Sequence, residues 1–256
     1  MIRRQYLSLL RWSCREAWHT RFFVQTLLTM LALALLAGFA AALAVTEAAQ
    51  YRAVLYAAGL RLALVFSLAL HVGASLVRER ETGALELVLS RPVARWAWFA
   101  GRLSGFLAVA LGALAIGVLP LLAWGEAPGV AAFAAGLAAE LVFAVTAAFV
   151  FAIALDHLVA AFGAFAAFYL AARSMAAILL IAGGATLDQS AAATRFCAAA
   201  ARLVAYVLPA LDRFAPAAWV VHGPPAAALA GVAAQTLVYG ALLVAVGQID
   251  FHRRNL

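Results

Sequence analysis

The chain has 256 residues, 68% hydrophobic and 11% charged, against about 45–50% and about 25% in soluble domains. A soluble fold of this size cannot hide so much apolar surface, so lipid is the expected solvent; the net charge of +7 sits at the ends of apolar segments and reads as topology, not nucleic-acid binding. All 18 basic residues are arginine, and without lysine a G-x-x-x-x-G-K-[ST] phosphate loop and Schiff-base chemistry are both excluded, leaving any coupling to ATP to another polypeptide.

Residues 1–21 read as an amphipathic helix. At about 100° per residue, Arg4, Ser8, Arg11, Arg15 and His19 share one stripe. Ile2, Tyr6, Leu9, Leu10, Cys14, Ala17 and Trp18 fill the opposite face. Such a helix is expected in the membrane interface, as a topogenic anchor or as an elbow that also touches a cytoplasmic partner.

Apolar stretches of about 20 residues can cross the ~30 Å hydrocarbon core as helices. Six are expected, at roughly 22–46, 54–77, 99–124, 130–155, 158–182 and 226–247. Asp156-His157 is the weakest boundary, and without it the reading becomes five spans with one long re-entrant element. Ala42-Leu43-Ala44 fits a leader-cleavage pattern, but the apolar run before it is about 20 residues against about 7–15 in a signal core, so a span is expected.

Arginine placement orients the bundle. Five arginines precede the first span, five (Arg78, Arg80, Arg91, Arg95, Arg102) join spans two and three, and Arg253 and Arg254 follow the sixth. The opposite side has only Arg52, Arg195, Arg202 and Arg213. The positive-inside rule then puts both termini in the cytoplasm of a multi-pass protein of the inner (plasma) membrane. Cys14 and Cys197 fall on opposite sides and cannot pair, and no metal framework is readable.

Arg61, Glu140 and Arg173 lie inside expected spans, where a central charge costs roughly 2.5–3.5 kcal/mol. Their shared depth points to a polar network. It is either a buried pair that fixes helix packing or the lining of a substrate path. On span two, Arg61, Ser67, His71, Ser75 and Arg78 occupy one arc of about 120°, a face that should meet protein or water, not lipid. On span three, Gly101, Gly105, Ala108 and Gly112 permit close helix approach.

Between spans five and six, residues 183–225 are too many for a plain connection and should be structured. Ser190 is a candidate N-cap, after which Phe196, Ala199, Leu203, Tyr206 and Val207 trace an apolar helical stripe. Pro209, Pro216 and the Pro224-Pro225 pair break the remainder into short pieces.

The segment 78–98 is the most specific. Glu79, Glu81 and Glu86 accompany an apolar ridge of Leu85, Val88 and Leu89; Gly83 permits a tight start, and Pro92 restricts Arg91 and ends the piece. A solvated loop accounts for the arginines but not for the ridge with its glutamates.

The run E-R-E-T-G-A-L-E-L-V-L-S-R-P-V-A-R, from Glu79 to Arg95, resembles the signature of ABC-2 type transporter permeases, the membrane subunits of ATP-binding-cassette exporters of the type V fold. L-S-R-P-V-A-R is similar to the branch that includes the nitrous-oxide-reductase maturation permease. The layout agrees over the whole chain, read as one domain, 1–256. The resemblance implies an all-α membrane fold with an N-terminal elbow helix, six spans, a cytoplasmic coupling helix and short re-entrant or interfacial helices forming an external gate. It further implies that Glu79, Glu81, Gly83, Leu85, Glu86, Leu89, Pro92 and Arg95 belong to the element that docks on a separate ATPase.

The expected function is therefore export across the inner membrane by a permease homodimer with two copies of an ATPase chain. ATP and magnesium would be bound by that partner, with no cofactor and no enzymatic site in this chain. A related machine that passes ATP-driven motion to an external maturation protein is the alternative. An intramembrane enzyme has little support, since no H-E-x-x-H, G-x-S-x-G or pair of glutamates within a span occurs. A passive channel or scaffold leaves the Glu79–Arg95 element unexplained.

Overall fold

The computed structural model describes residues 2–44, 47–83, 95–183, 192–225 and 227–253. Among them the secondary structure is entirely helical: α1 (Ile2–His19), α2 (Phe22–Ala42), α3 (Ala48–Glu81), α4 (Arg95–Trp124), α5 (Ala127–Ala154), α6 (Leu158–Gly183), α7 (Ala192–Val207), a 3-10 turn (Leu211–Arg213), α8 (Trp219–His222) and α9 (Ala228–Arg253). Six of these, α2 to α6 and α9, are long and apolar enough to cross a membrane, and the chain is an all-α multi-pass membrane protein. Asp156-His157 is a true boundary: Leu155 is extended, with φ −115° and ψ 134°, and α6 restarts at Leu158.

Helix ends differ from the apolar runs. The second span, expected at 54–77, is the 34-residue α3, and the third begins at Arg95 instead of residue 99. No breaker interrupts the polar flanks of α3, so the helix runs on through Arg78-Glu79-Arg80-Glu81 until Gly83 takes a left-handed φ of 67°. At ~1.5 Å per residue α3 is about 51 Å long, well beyond the ~30 Å hydrocarbon core.

The helices alternate in direction, so the bundle has two ends. One carries α1, the connection after Glu81 and the Leu155–His157 turn; the other carries α7, the 3-10 turn and α8. We refer to them as the connection end and the loop end. The most enclosed helix is α5, which packs against α3, α4, α6, α8 and α9. Near the connection end, Trp98 stacks on Phe251 at 5.0 Å between centroids and Phe99 meets Phe149 edge-on at 4.9 Å. These pairs join α4, α9 and α5. Meanwhile α2 turns Leu27, Leu28, Leu31 and Leu35 outward, as a lipid-facing helix should.

Candidate functional site

At the connection end the polar centre is Arg102, on the second turn of α4 and fully buried. Its Nη1 donates to Ser13 Oγ at 2.6 Å, and its Nη2 donates to Glu16 Oε2 at 3.0 Å, Ser75 Oγ at 2.7 Å and Glu79 Oε1. Ser75 in turn donates to Glu16 Oε1 at 2.5 Å. The guanidinium also lies 4.5 Å from the Trp12 ring centroid and 4.6 Å from that of Phe106. One cation thus joins α1 to α3 and α4, with two carboxylates on a single guanidinium. The approach of α1 depends on missing side chains. A Cβ at Gly105 would stand 2.5 Å from Ser13 Cβ, and one at Gly101 would stand 2.9 Å from Leu9 Cβ.

Two more arginines secure the helix ends beside the connection. Arg80, at the end of α3, donates to the Leu155 carbonyl at 3.3 Å, to that of Ala152, and to Asp156 at 3.0 Å. Those acceptors are carbonyls that α5 leaves open at its C-terminus, together with a carboxylate just beyond it. Arg95, the first residue of α4, donates to the His252 carbonyl at the end of α9, at 3.3 Å.

A second polar centre lies about 27 Å away along α3, counting 18 residues from Glu79 to Arg61 at ~1.5 Å each. Glu140 is fully buried on α5. Its Oε1 accepts from Tyr169 Oη at 2.6 Å and from Arg173 Nη1 at 3.0 Å. Arg173 also donates to the carbonyls of Leu211 at 2.5 Å and Phe214 at 3.4 Å. Arg61 donates to the Ala215 carbonyl at 3.0 Å. The Pro209–His222 stretch therefore folds into the bundle from the loop end, with Leu211, Phe214, Ala215 and Val220 completely or almost completely buried. Irregular backbone at such depth is tolerable only where protein satisfies its carbonyls, and the two arginines do so. Small residues on α5 make room: a Cβ at Gly129 would come within 2.6 Å of the Trp219 carbonyl, and one at Gly136 within 3.1 Å of the Ala215 nitrogen. Ala215 itself is held at φ 40°, a left-handed conformation unusual for a residue with a Cβ.

Of the residues singled out from sequence, Arg61, Glu140 and Arg173 gather around this inserted loop, with Glu140 paired to Arg173 and Arg61 bound to backbone. Glu79 is buried on Arg102, while Glu81 is exposed. Leu85, Glu86, Leu89 and Pro92 lie outside the described residues, as does Ser190. Arg102, counted from sequence among the charges of the cytoplasmic connection, instead occupies the interior of α4, because Ser13, Ser75, Glu16 and Glu79 gather around it. The α7 stripe points outward, leaving Phe196, Leu203 and Tyr206 exposed. The missed roles are those of Ser13 and Glu16 as acceptors from Arg102 and of Tyr169, an i, i+4 neighbour of Arg173, as a donor to Glu140. Two signals were available: Ser13 and Glu16 lie three apart on α1, and Tyr169 lies one turn before Arg173.

Among the described residues no group of three or more His, Cys, Asp or Glu side chains is arranged to hold a metal ion. No family model matches the sequence, and no curated protein matches it.

Proposed function

We propose that this chain is the membrane-spanning permease subunit of an ABC-2 type exporter. It works as a homodimer whose stroke comes from two copies of a separate ATPase, which bind the ATP and magnesium. Both termini and the connection end face the cytoplasm of the inner membrane in this reading. The supporting observation is that the stretch resembling a coupling element is tied to the bundle on both flanks. On the near flank Glu79 is held by Arg102, and Arg80 holds the end of α5; on the far flank Arg95 holds the end of α9. A displacement applied between them would pass directly to α1, α3, α4, α5 and α9. An ordinary surface loop needs no such bracing.

The test is Glu86→Arg combined with Leu89→Asp in the full chain expressed with its native membrane partners. The expected result is loss of a co-purifying ATPase and of complex-dependent ATP hydrolysis, with membrane insertion and thermal stability of this chain unchanged. Undiminished retention and hydrolysis would remove the segment from the interface. Absence of any nucleotide-hydrolysing partner from the native complex would remove the reading itself.

A further inference from the structure

A polar cleft runs between α1, α2 and α3 at the connection end, and neither the ion-pair centres nor the proposed coupling role accounts for it. The inner part is a cavity of about 400 Å3. It is lined by Gln25, Thr26 and Thr29 of α2 and by Ser67, His71 and Ser75 of α3, six polar side chains on helices that are otherwise strongly apolar. Beside it lies a wider cavity of about 800 Å3 that shares Glu16, Thr20 and Arg78 with it and adds Arg11, Arg15 and His19 of α1.

Three properties define what this cleft suits. The first is a polar lining: Gln25, Thr26, Thr29, Ser67 and His71 bring amide, hydroxyl and imidazole side chains to the wall, while Thr26 Oγ1 and His71 Nε2 themselves lie buried behind it with no partner in the protein. Buried polar atoms are rarely left so without a ligand or water to meet them. The second is sign. Arg11, Arg15 and Arg78 stand exposed around the mouth, whereas the acid in the wall, Glu16, is committed to Arg102 and Ser75. The third is position. Leu70, on the same wall, is about half exposed, so the polar lining is bordered by accessible apolar surface where an acyl chain could lie.

We propose that the cleft binds a phosphate-bearing anion, with the phosphate between the Arg11, Arg15 and Arg78 guanidiniums and neutral polar groups of the ligand against the Thr26 and His71 side. Arginine forks match phosphate oxygens in geometry and carry their charge at any physiological pH. The hydroxyl, amide and imidazole lining offers donors and acceptors to an uncharged headgroup portion such as a polyol. The source is either a lipid, with its acyl chains leaving past Leu70, or a free phosphate compound entering from the arginine mouth. The site stands without the transporter assignment, since it requires neither an ATPase nor a second copy of the chain.

The experiment is native mass spectrometry of the detergent-solubilised full chain with three probes: phosphatidylglycerol, diacylglycerol of the same chain length, and glycerol 3-phosphate. One copy of phosphatidylglycerol or of glycerol 3-phosphate should be retained, and diacylglycerol should not. Retention of phosphatidylglycerol alone identifies a lipid as the source, and equal occupancy by glycerol 3-phosphate identifies a soluble one. Arg15→Gln with Arg78→Gln should weaken that binding by about tenfold or more. Because both side chains are exposed, the variant should keep its thermal stability. Thr29→Val, which removes one hydroxyl from the exposed part of the wall, should weaken binding by a smaller factor. Arg195→Gln with Arg202→Gln, on α7 at the other end, should change nothing. Equal loss in that control would mean bulk charge and not a site. Retention of diacylglycerol as strong as that of phosphatidylglycerol, or undiminished binding by the Arg15/Arg78 variant, would overturn the proposal, as would failure of both phosphate-bearing probes to bind.

Discussion

A guanidinium carries five N–H donors and no acceptor, and this protein uses that capacity in two ways. Arg102 spends its donors on side chains and so cross-links helices, whereas Arg173 divides its donors between the Glu140 carboxylate and the carbonyls of an inserted loop. Lysine offers one compact charge and could not bridge so many partners. The Glu140–Arg173 pair gives the sharpest residue-level prediction. Breaking a buried ion pair on one side costs about 3–5 kcal/mol in soluble proteins, because the surviving charge is left uncompensated. Glu140→Ala is accordingly expected to lower the Tm of the solubilised protein, and adding Arg173→Ala should recover part of the loss. Arg61, which binds the Ala215 carbonyl and not the carboxylate, should show much weaker coupling to Glu140 in the same double-mutant cycle. Strict additivity of Glu140→Ala and Arg173→Ala would contradict the pairing.

At the scale of elements, the question is what holds α1 on the bundle. Its buried stripe is Leu9, Ser13 and Ala17, set against the glycine face of α4, and the polar part of the contact converges on Arg102. Arg102→Leu keeps bulk but removes every donor, leaving Glu16 and Glu79 as neighbouring acids with no cation between them. Amide hydrogen exchange in α1 should then accelerate at least about tenfold, while α9, which does not touch this centre, stays protected. Unchanged exchange in α1 would mean that the apolar stripe alone secures the helix. This element also marks the limit of what the sequence discloses. The six spans were legible because twenty-residue apolar runs have no soluble alternative, and the 3.6-residue stripe of α1 was legible in part: Leu9 and Ala17 are buried as expected, but so is Ser13 between them, and Trp18 is exposed. The role of Arg102 was not legible. A charge seven residues into a helix beside a cluster of basic residues looks topogenic until four partners from other helices are seen around it. The inserted loop was expected only through the family resemblance, as short re-entrant or interfacial helices: proline spacing announces short pieces, but no local signal states that Gly129 and Gly136 on a distant helix leave room for them.

For the molecule as a whole, orientation is the first quantity to establish. In a background with Cys14 and Cys197 replaced by serine, Tyr206→Cys, on the exposed side of α7, should react with a membrane-impermeant maleimide in intact cells. Leu7→Cys, exposed on α1, should react only after permeabilisation. The reverse pattern would invert the topology, and labelling of both from outside would contradict the five crossings that separate α1 from α7. The two polar regions also bear on how thick the insulating layer is. From the connection end the cleft reaches Ser67, and from the loop end the inserted backbone reaches Arg61. Only six residues of α3, about 9 Å, separate those levels, against a hydrocarbon thickness of ~30 Å. A cleft filled with water as far as Ser67 would carry the potential of the connection-end solution to that level, whereas the Leu211–Ala215 backbone at the Arg61 level is sealed by protein. A charge that entered the cleft as far as Ser67 would then have covered part of the hydrocarbon depth while exchanging little of the roughly 2.3 kcal/mol that a potential of about 100 mV assigns to a full crossing.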